Sequence, residues 1–373
     1  MIRTLAFAGY RSLRDLRLSL ERLTVITGGN GAGKSNVYRA MRLLVDAADG
    51  QLARSLAREG GMPSALWAGP DSKRSKKSGE GRRVSIGFGD QQLAYELRLG
   101  YEGDPNLGVF ALDPAVKAET IRTITSPKVN LLERRNNSAM LRDHDGNAVT
   151  FGGTIERPES ILAQLAEPHR YPVLSMMRER LKRWRFYHQI RTDADSPLRM
   201  EQIGTYTPVL AHDGSDLAAA LQTIFLFGDH EALAAAIADA FEGAALFIQA
   251  DRARFRVQLE TPGVSRPLDA AELSDGTLRY LALLAALHTP RPPELLVLNE
   301  PETSLHPRVL APLARQIIAA AGRSQVIVVT HAAPLVEAIC AATGAIRIEL
   351  AKHLGETVVA GRRPVEEPAW KWT

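Results

Sequence analysis

Apolar and polar residues alternate over residues 2–27 and then run apolar, in IRTLAFAGY, LRLSL and LTVITG, which predicts short strands. Residues 34–48, KSNVYRAMRLLVDAA, place apolar side chains at 37, 40, 41, 44 and 45, one face of a helix. The polar, basic stretch GPDSKRSKKSGEGRR (69–83) reads as an exposed loop. Two hairpins are expected next, in VSIGFGDQQLAYELRLGY and NLLERRNNSAMLRDHDGNAVTF, the second turning at DHDGN (143–147). Residues 156–190 and 215–242 carry a helical pattern, the latter broken near FGDHE. From about 245 strands and helices alternate: LFIQA, RFRVQLE, a helix over 277–288, LLVLN, a helix over 307–321, QVIVVT, a helix over 333–341, and IRIEL. That alternation predicts an α/β fold with a mostly parallel sheet covered by helices. No repeat of 20–50 residues and no sustained heptad pattern is present.

Composition narrows this only a little. Lys plus Arg number 46 against 42 Asp plus Glu, a mildly basic balance that is weak evidence for an anionic partner. The single cysteine, Cys340, excludes an internal disulfide, argues against a cysteine-based metal site, and reads as a small buried helix residue. The opening MIRTLAFAGYRSLRDL lacks the apolar core of a secretory signal, and the longest apolar run, YLALLAALH (280–288), is too short to span a bilayer. A cytoplasmic protein without a membrane partner is expected.

Chemistry enters with GGNGAGKS, residues 28–35, which fits G-x-x-x-x-G-K-[ST] between a predicted strand and a predicted helix. Gly28, Gly31 and Gly33 allow unusual φ angles and close backbone approach. The N–H groups along Gly28, Asn30, Gly31, Ala32, Gly33 and on to Asn36 would then meet phosphate oxygens at a helix N-terminus. Lys34 would reach the β- and γ-phosphates of ATP, and the Ser35 hydroxyl would ligate Mg²⁺.

The stretch LLVLNEPETSLHP supplies an acidic strand end. Glu300 is the candidate general base. Asn299 takes the metal position, with a carbonyl acceptor but no negative charge, so the expected metal set is Ser35, Asn299 and Glu300. Glu302 adds charge two residues on. In AELSDGTLRYLALLAAL, Ser274, Asp275 and Gly276 precede a helix that Ser or Asp would cap, a second anion-binding helix end. QVIVVTH ends a buried strand with Thr330 and His331, where α/β sites form.

The order P-loop, long insertion, LSDGT, LNEPETSLHP, VVTH resembles the ABC-type ATPase heads of the RecF/SMC-like family, a group that includes predicted bacterial ATPases and the overcoming-lysogenization-defect nucleases. The resemblance is specific over residues 1–48 and 270–335. It extends to GYRSL (9–13), which looks like the family's N-terminal strand-turn, in which Arg11 and Ser12 approach the nucleotide. It implies a P-loop NTPase fold: an ABC-type head with a mixed sheet and helical lobe, a large α+β insertion and no long coiled coil. The expected division is 1–110 for the first part of the head, 111–244 for the insertion and 245–373 for the second part. By the same resemblance Lys34 and Ser35 bind phosphates and Mg²⁺, Glu300 polarises the water, and His331 senses the γ-phosphate. Ser274, Asp275 and Gly276 complete the site of a second subunit, in a head-to-tail homodimer around two ATP molecules. Three features depart from the pattern: Asn299 replaces an Asp, the insertion lacks heptads, and 373 − 331 = 42 residues after His331 leave no room for a nuclease domain. The family's Gln-loop residue falls to Gln91, Gln92 or Gln189 without a choice among them.

Two basic clusters raise DNA as a partner. One is Lys73, Arg74, Lys76, Lys77, Arg82 and Arg83; the other is Arg178, Arg180, Lys182, Arg183 and Arg185, interleaved with Trp184, Phe186 and Tyr187. Trp184 and Phe186 are also core candidates. The expectation is a slow, Mg²⁺-dependent ATPase switch acting on DNA or with an effector or nuclease protein, in genome maintenance or phage defence. The alternative is a nucleotide sensor with little turnover.

Overall fold

The computed structural model describes residues 1–69, 82–101, 105–188, 190–362 and 366–372. In chain order the first elements are strands β1 (Thr4–Tyr10), β2 (Leu13–Ser19) and β3 (Leu23–Gly28), then helices α1 (Lys34–Ala48), α2 (Leu52–Arg58) and α3 (Gly61–Ala65). Strands β4 (Val84–Gly89), β5 (Leu93–Tyr101), β6 (Pro114–Thr123), β7 (Asn130–Arg135), β8 (Ser138–Arg142) and β9 (Ala148–Thr150) follow. Next come α4 (Ile161–Gln164), α5 (Pro172–Lys182), β10 (Arg185–Tyr187), β11 (Gln202–Ile203), α6 (Leu217–Phe227) and α7 (His230–Ala240). The last part holds β12 (Ala245–Asp251), β13 (Arg254–Glu260), β14 (Leu268–Asp269), α8 (Asp275–Leu287), β15 (Leu295–Asn299), α9 (Leu310–Ala321), β16 (Gln325–Val329), α10 (Ala333–Cys340), β17 (Ala345–His353) and β18 (Glu356–Val359).

The chain divides into two compact units, and neither is contiguous: residues 1–21, 28–184 and 348–373 form one, residues 22–27 and 185–347 the other. This differs from the expected cuts at 110 and 244. Strands distant in sequence pair within each unit, so contiguous segments do not close on themselves.

The first unit contains an eight-stranded antiparallel sheet, ordered β2-β1-β4-β5-β6-β7-β8-β9. All six residues of β4 are buried, and helix α1 buries Val37, Ala40, Met41, Leu44 and Val45, the face its periodicity marks. A carboxylate sits inside this unit. Glu119 is buried and accepts from Tyr95 OH at 2.8 Å, Ser160 Oγ at 2.6 Å and the Ile161 N–H at 2.8 Å. Arg134, with no exposed side-chain surface, lies 3.9 Å from it and also donates to the carbonyls of Asn136 and Glu156, each at 2.9 Å. Burial pushes the Glu119 carboxyl up, against the Ser160 hydroxyl and Arg134, which hold it down. Removing one partner of such a pair strands the other charge. Glu119→Ala is therefore expected to destabilise this unit by about 3–5 kcal/mol, read as a lowered urea midpoint. A midpoint equal to wild type would contradict the account of this network.

The second unit contains four parallel strands ordered β10-β15-β16-β3. LLVLN and QVIVV are buried at every position, as strands covered on both faces must be. Asn299 pairs with Val329, and Val329 with Ile26. The ladder continues one step past each strand: the Glu300 N–H donates to Val329 O at 2.7 Å, and the Thr330 N–H to Ile26 O at 3.1 Å. The carboxyl ends of β15, β16 and β3 are thus in step, the edge where α/β sites form.

Two expectations are corrected here. LFIQA and RFRVQLE do not join the parallel sheet; as β12 and β13 they form an antiparallel hairpin in a separate sheet with β11 and β14. The tight connection from Asp251 to Arg254 permits only antiparallel pairing. The helical pattern over 156–190 holds only for α4 and α5. Arg185–Tyr187 instead pair in parallel with Leu296–Leu298, an outcome decided by the partner strand and not by local pattern. Cys340, at the end of α10, is partly buried. Among the described residues no helix is long and apolar enough to cross a membrane.

Candidate functional site

The glycine loop belongs to the first unit. Gly28, Gly31 and Gly33 have φ of 147°, 76° and 104°. At Gly33 the need for glycine is steric as well: an added Cβ would lie 2.0 Å from Thr357 Oγ1 and 3.0 Å from Ser12 Oγ. Gly33 is also the N-cap of α1 and no side chain caps that helix, so its N-terminal amides face the loop without a protein acceptor from a cap. Asn30, Gly31 and Ser35 are exposed, Ala32 is buried, and Lys34 is only 6 % exposed. The Lys34 ammonium donates to Gly28 O at 2.7 Å and Gly29 O at 3.1 Å. No carboxylate pairs with it among the described residues.

A small polar floor holds the loop. Ser12 Oγ accepts from Asn36 Nδ2 at 2.8 Å and lies 2.7 Å from Thr357 Oγ1. The Thr357 hydroxyl donates to Ala32 O at 2.9 Å, and its N–H to Ser12 O at 2.8 Å. Ser12 therefore adjoins the loop, while the Asn36 side chain is committed to Ser12. Arg11, at φ 47°, is held by Glu59 at 3.0 Å, and Tyr10 OH donates to the same oxygen at 2.7 Å. Thr357 and Glu59 carry no sequence signal for these places.

The acidic tip belongs to the second unit. Asn299 is 2 % exposed, and its Nδ2 lies 2.6 Å from His188 Nδ1. Glu300 has φ 49°, a side chain 34 % exposed, and one near neighbour for its carboxylate, His331 Nδ1 at 3.9 Å. Glu302 is more committed. Its Oε1 accepts from Thr330 Oγ1 at 2.6 Å and the His331 N–H at 3.2 Å, and lies 3.3 Å from His331 Nδ1. Its Oε2 is buried without a partner among the described residues. Sequence reasoning gave Glu302 only a supporting charge; its geometry makes it the holder of His331.

Helix α8 feeds into this tip. Ser274 caps it, accepting from the Thr277 N–H at 3.1 Å, and Asp275 pairs with Arg199 at 2.6 Å. A Cβ on Gly276 would fall 2.6 Å from Ser304 O, so glycine lets the helix start close under the loop that follows the tip. One turn on, buried Arg279 donates through Nη2 to His188 O at 2.8 Å and Glu300 O at 3.2 Å, joining the ends of β10 and β15. Burial pushes its guanidinium down, and Glu302 and Glu300 counter that. Sequence reasoning missed both His188 and Arg279. The one available signal for His188 was its place directly after the apolar-aromatic RFY.

Three residues of the second basic cluster pair with carboxylates of the chain. Arg180 pairs with Asp90 at 2.5 Å, Lys182 with Asp49 at 3.4 Å and Arg178 with Glu179 at 3.4 Å. Trp184, Phe186 and Tyr187 are buried, so they offer no stacking surface to a nucleic acid. Lys73, Arg74, Lys76, Lys77 and Gln189 lie outside the described residues. Gln92 sits in a turn, its N–H bound to Asp90 Oδ1 at 2.7 Å.

The model of the family described as "AAA domain, putative AbiEii toxin, Type IV TA system" matches residues 23–139 and 142–337, from the strand entering the glycine loop to past His331. The chain belongs to this AAA family. A comparison with curated proteins finds no match for this AAA protein. Among solved structures it is similar to an SMC head bound to the C-winged helix domain of ScpA, with 13 % identity, TM-score 0.53, and 96 % of this chain and 97 % of that one covered. It is also similar to the SMC head domain of Pyrococcus furiosus bound to the C-terminal domain of ScpA (13 % identity, TM-score 0.51, 96 % and 95 % covered). A third is the SMC head of Pyrococcus yayanosii with a coiled coil and joint (10 % identity, TM-score 0.51, 96 % of each chain covered). At these identities the likeness is one of fold. The AAA protein has an SMC-head-like α/β fold of the ABC-type ATPase class, with mixed sheets and helices; nothing in the likeness singles out RecF.

Proposed function

We propose that this AAA chain is a slow, Mg²⁺-dependent ATPase that works as a dimerising switch. The observation that carries the reading is Lys34. A buried ammonium is costly unless an anion faces it. Here two carbonyls accept from the ammonium but bring no charge, in a loop whose helix end also favours an anion. A nucleotide triphosphate is the anion that the family and the loop sequence call for.

The remaining roles follow from chemistry. Ser35 and the carbonyl of Asn299 would hold Mg²⁺ or its waters, and the cation would offset charge on the transferred phosphate. Among the described residues no group of three or more His, Cys, Asp or Glu side chains gathers to hold a metal. That fits Mg²⁺, which keeps its waters and rides on substrate phosphates. Glu300 is the less committed of the two tip carboxylates and serves as general base. His331, held by Glu302, reads the γ-phosphate. One glycine loop and one Ser274–Gly276 helix start per chain support a head-to-tail homodimer. DNA or an effector protein is the proposed partner, in genome maintenance or phage defence.

Asn299 favours a second reading, a sensor that binds ATP without turning it over, because it removes one negative charge from the metal position. Sedimentation of the full chain with Mg²⁺, together with phosphate release, separates the two. A dimer in ATP that returns to monomer as phosphate appears is expected. A dimer that forms and never releases phosphate establishes the sensor; one mass in both ATP and ADP contradicts the switch.

A further inference from the structure

Asn299 raises a question of orientation that an aspartate would not. A carboxylate presents equivalent oxygens whichever way it turns. An amide presents an acceptor one way and a donor the other, with the same shape. At a cation's side only the carbonyl is useful. Something must fix the amide.

We propose that His188 is the residue that positions Asn299, taking an amide hydrogen on its Nδ1 and so leaving the Asn299 carbonyl as the uncommitted acceptor at the metal position. The inference rests on the ATP·Mg²⁺ reading above. Its grounds lie within the second unit. Tyr187 pairs with Leu298 in parallel register, which sets the next residues, His188 and Asn299, side by side. Their side chains meet at 2.6 Å, and Asn299 is 2 % exposed. That is the only hydrogen bond of the Asn299 side chain among the described residues, so no other group there sets the amide.

The backbone that carries the two side chains is itself held in place. Arg279 grips the His188 carbonyl at 2.8 Å and the Glu300 carbonyl at 3.2 Å with one guanidinium nitrogen. The two backbone segments therefore cannot drift apart without losing a buried charge-assisted bond. Nδ1 accepts only in the tautomer with hydrogen on Nε2. The opposite tautomer would turn the NH₂ group toward the cation and repel it. His188 thus does for an amide what a partner group behind a metal ligand commonly does: it selects which atom faces the ion.

The test uses Mn²⁺ as the metal probe, a β,γ-imido analogue of ATP, and the full chain. Free and bound Mn²⁺ are read by electron paramagnetic resonance, and analogue affinity without metal is measured in parallel. His188→Ala is expected to weaken Mn²⁺ binding about 10- to 100-fold, the usual effect of losing such a partner, with metal-free analogue affinity unchanged. His188→Asn, which keeps a hydrogen-bonding atom near the place of Nδ1, should recover most of it. His188→Gln, whose amide reaches instead toward the place of Nε2, should not. In an Asn299→Asp background, where orientation no longer matters, the His188→Ala penalty should shrink. Wild-type Mn²⁺ binding by His188→Ala overturns the inference alone. So does equal loss in all three variants together with a lowered unfolding midpoint, which would mark His188 as a packing residue. A wild-type chain that takes up no analogue removes the ATP reading and this inference with it.

Discussion

Lys34→Met should abolish ATP binding at working concentrations while leaving the protein folded. Methionine has nearly the length of lysine and none of its charge. Truncating one partner of a buried charge pair typically costs about 2–5 kcal/mol, on the order of 30-fold to several-thousand-fold in Kd. Stability should move the other way. Without nucleotide the ammonium is buried against two carbonyls, so replacing it with a thioether leaves the unfolding midpoint unchanged or raises it. A variant that lost ATP binding and also melted early would point to a structural role for Lys34. Equilibrium dialysis with ATP, beside a thermal melt, reads both quantities.

Glu300→Gln should lower turnover by about 10²- to 10⁴-fold, the range for removing a positioned general base, and leave ATP affinity intact. The choice of Glu300 over Glu302 rests on what each carboxylate already does. Glu302 Oε1 holds Thr330 and His331. The Glu300 carboxylate has no hydrogen bond to a described residue, and its side chain is 34 % exposed. Glu302→Gln, which retains an acceptor oxygen, should therefore slow the reaction far less. Because the Glu300→Gln chain still binds ATP, its ATP-bound dimer should persist where the wild-type dimer decays.

Much of this was legible in the sequence, for identifiable reasons. LLVLN and QVIVV are apolar at all but Asn299 and Gln325 because both faces of a parallel strand are covered. Gly28, Gly31 and Gly33 were legible because only glycine adopts those φ angles cheaply. The capping role of Ser274 is a local event and could be read locally. What escaped was set by pairing between distant segments. RFY looks like the end of a helix until Leu296–Leu298 lie beside it, and only then does His188 meet Asn299. Thr357 reaches Ser12 across a separation of 345 residues, which no local pattern encodes. In the Arg178–Arg185 cluster charge content says nothing about partners: Asp90 and Asp49 take Arg180 and Lys182, and the interleaved aromatics are core.

In sequence Asn299 is a missing carboxylate. In the structure it is a buried amide with a dedicated neighbour, beside a tip whose second glutamate holds Thr330 and His331 through one oxygen and whose first makes no side-chain hydrogen bond to a described residue.

The most direct test of the ATPase account is single-turnover hydrolysis of γ-labelled ATP in Mg²⁺ by wild type and Glu300→Gln side by side. The account predicts that wild type slowly releases about one phosphate per bound ATP, while Glu300→Gln retains intact ATP over the same interval. Equal rates in the two proteins, or intact ATP held indefinitely by wild type, would contradict it.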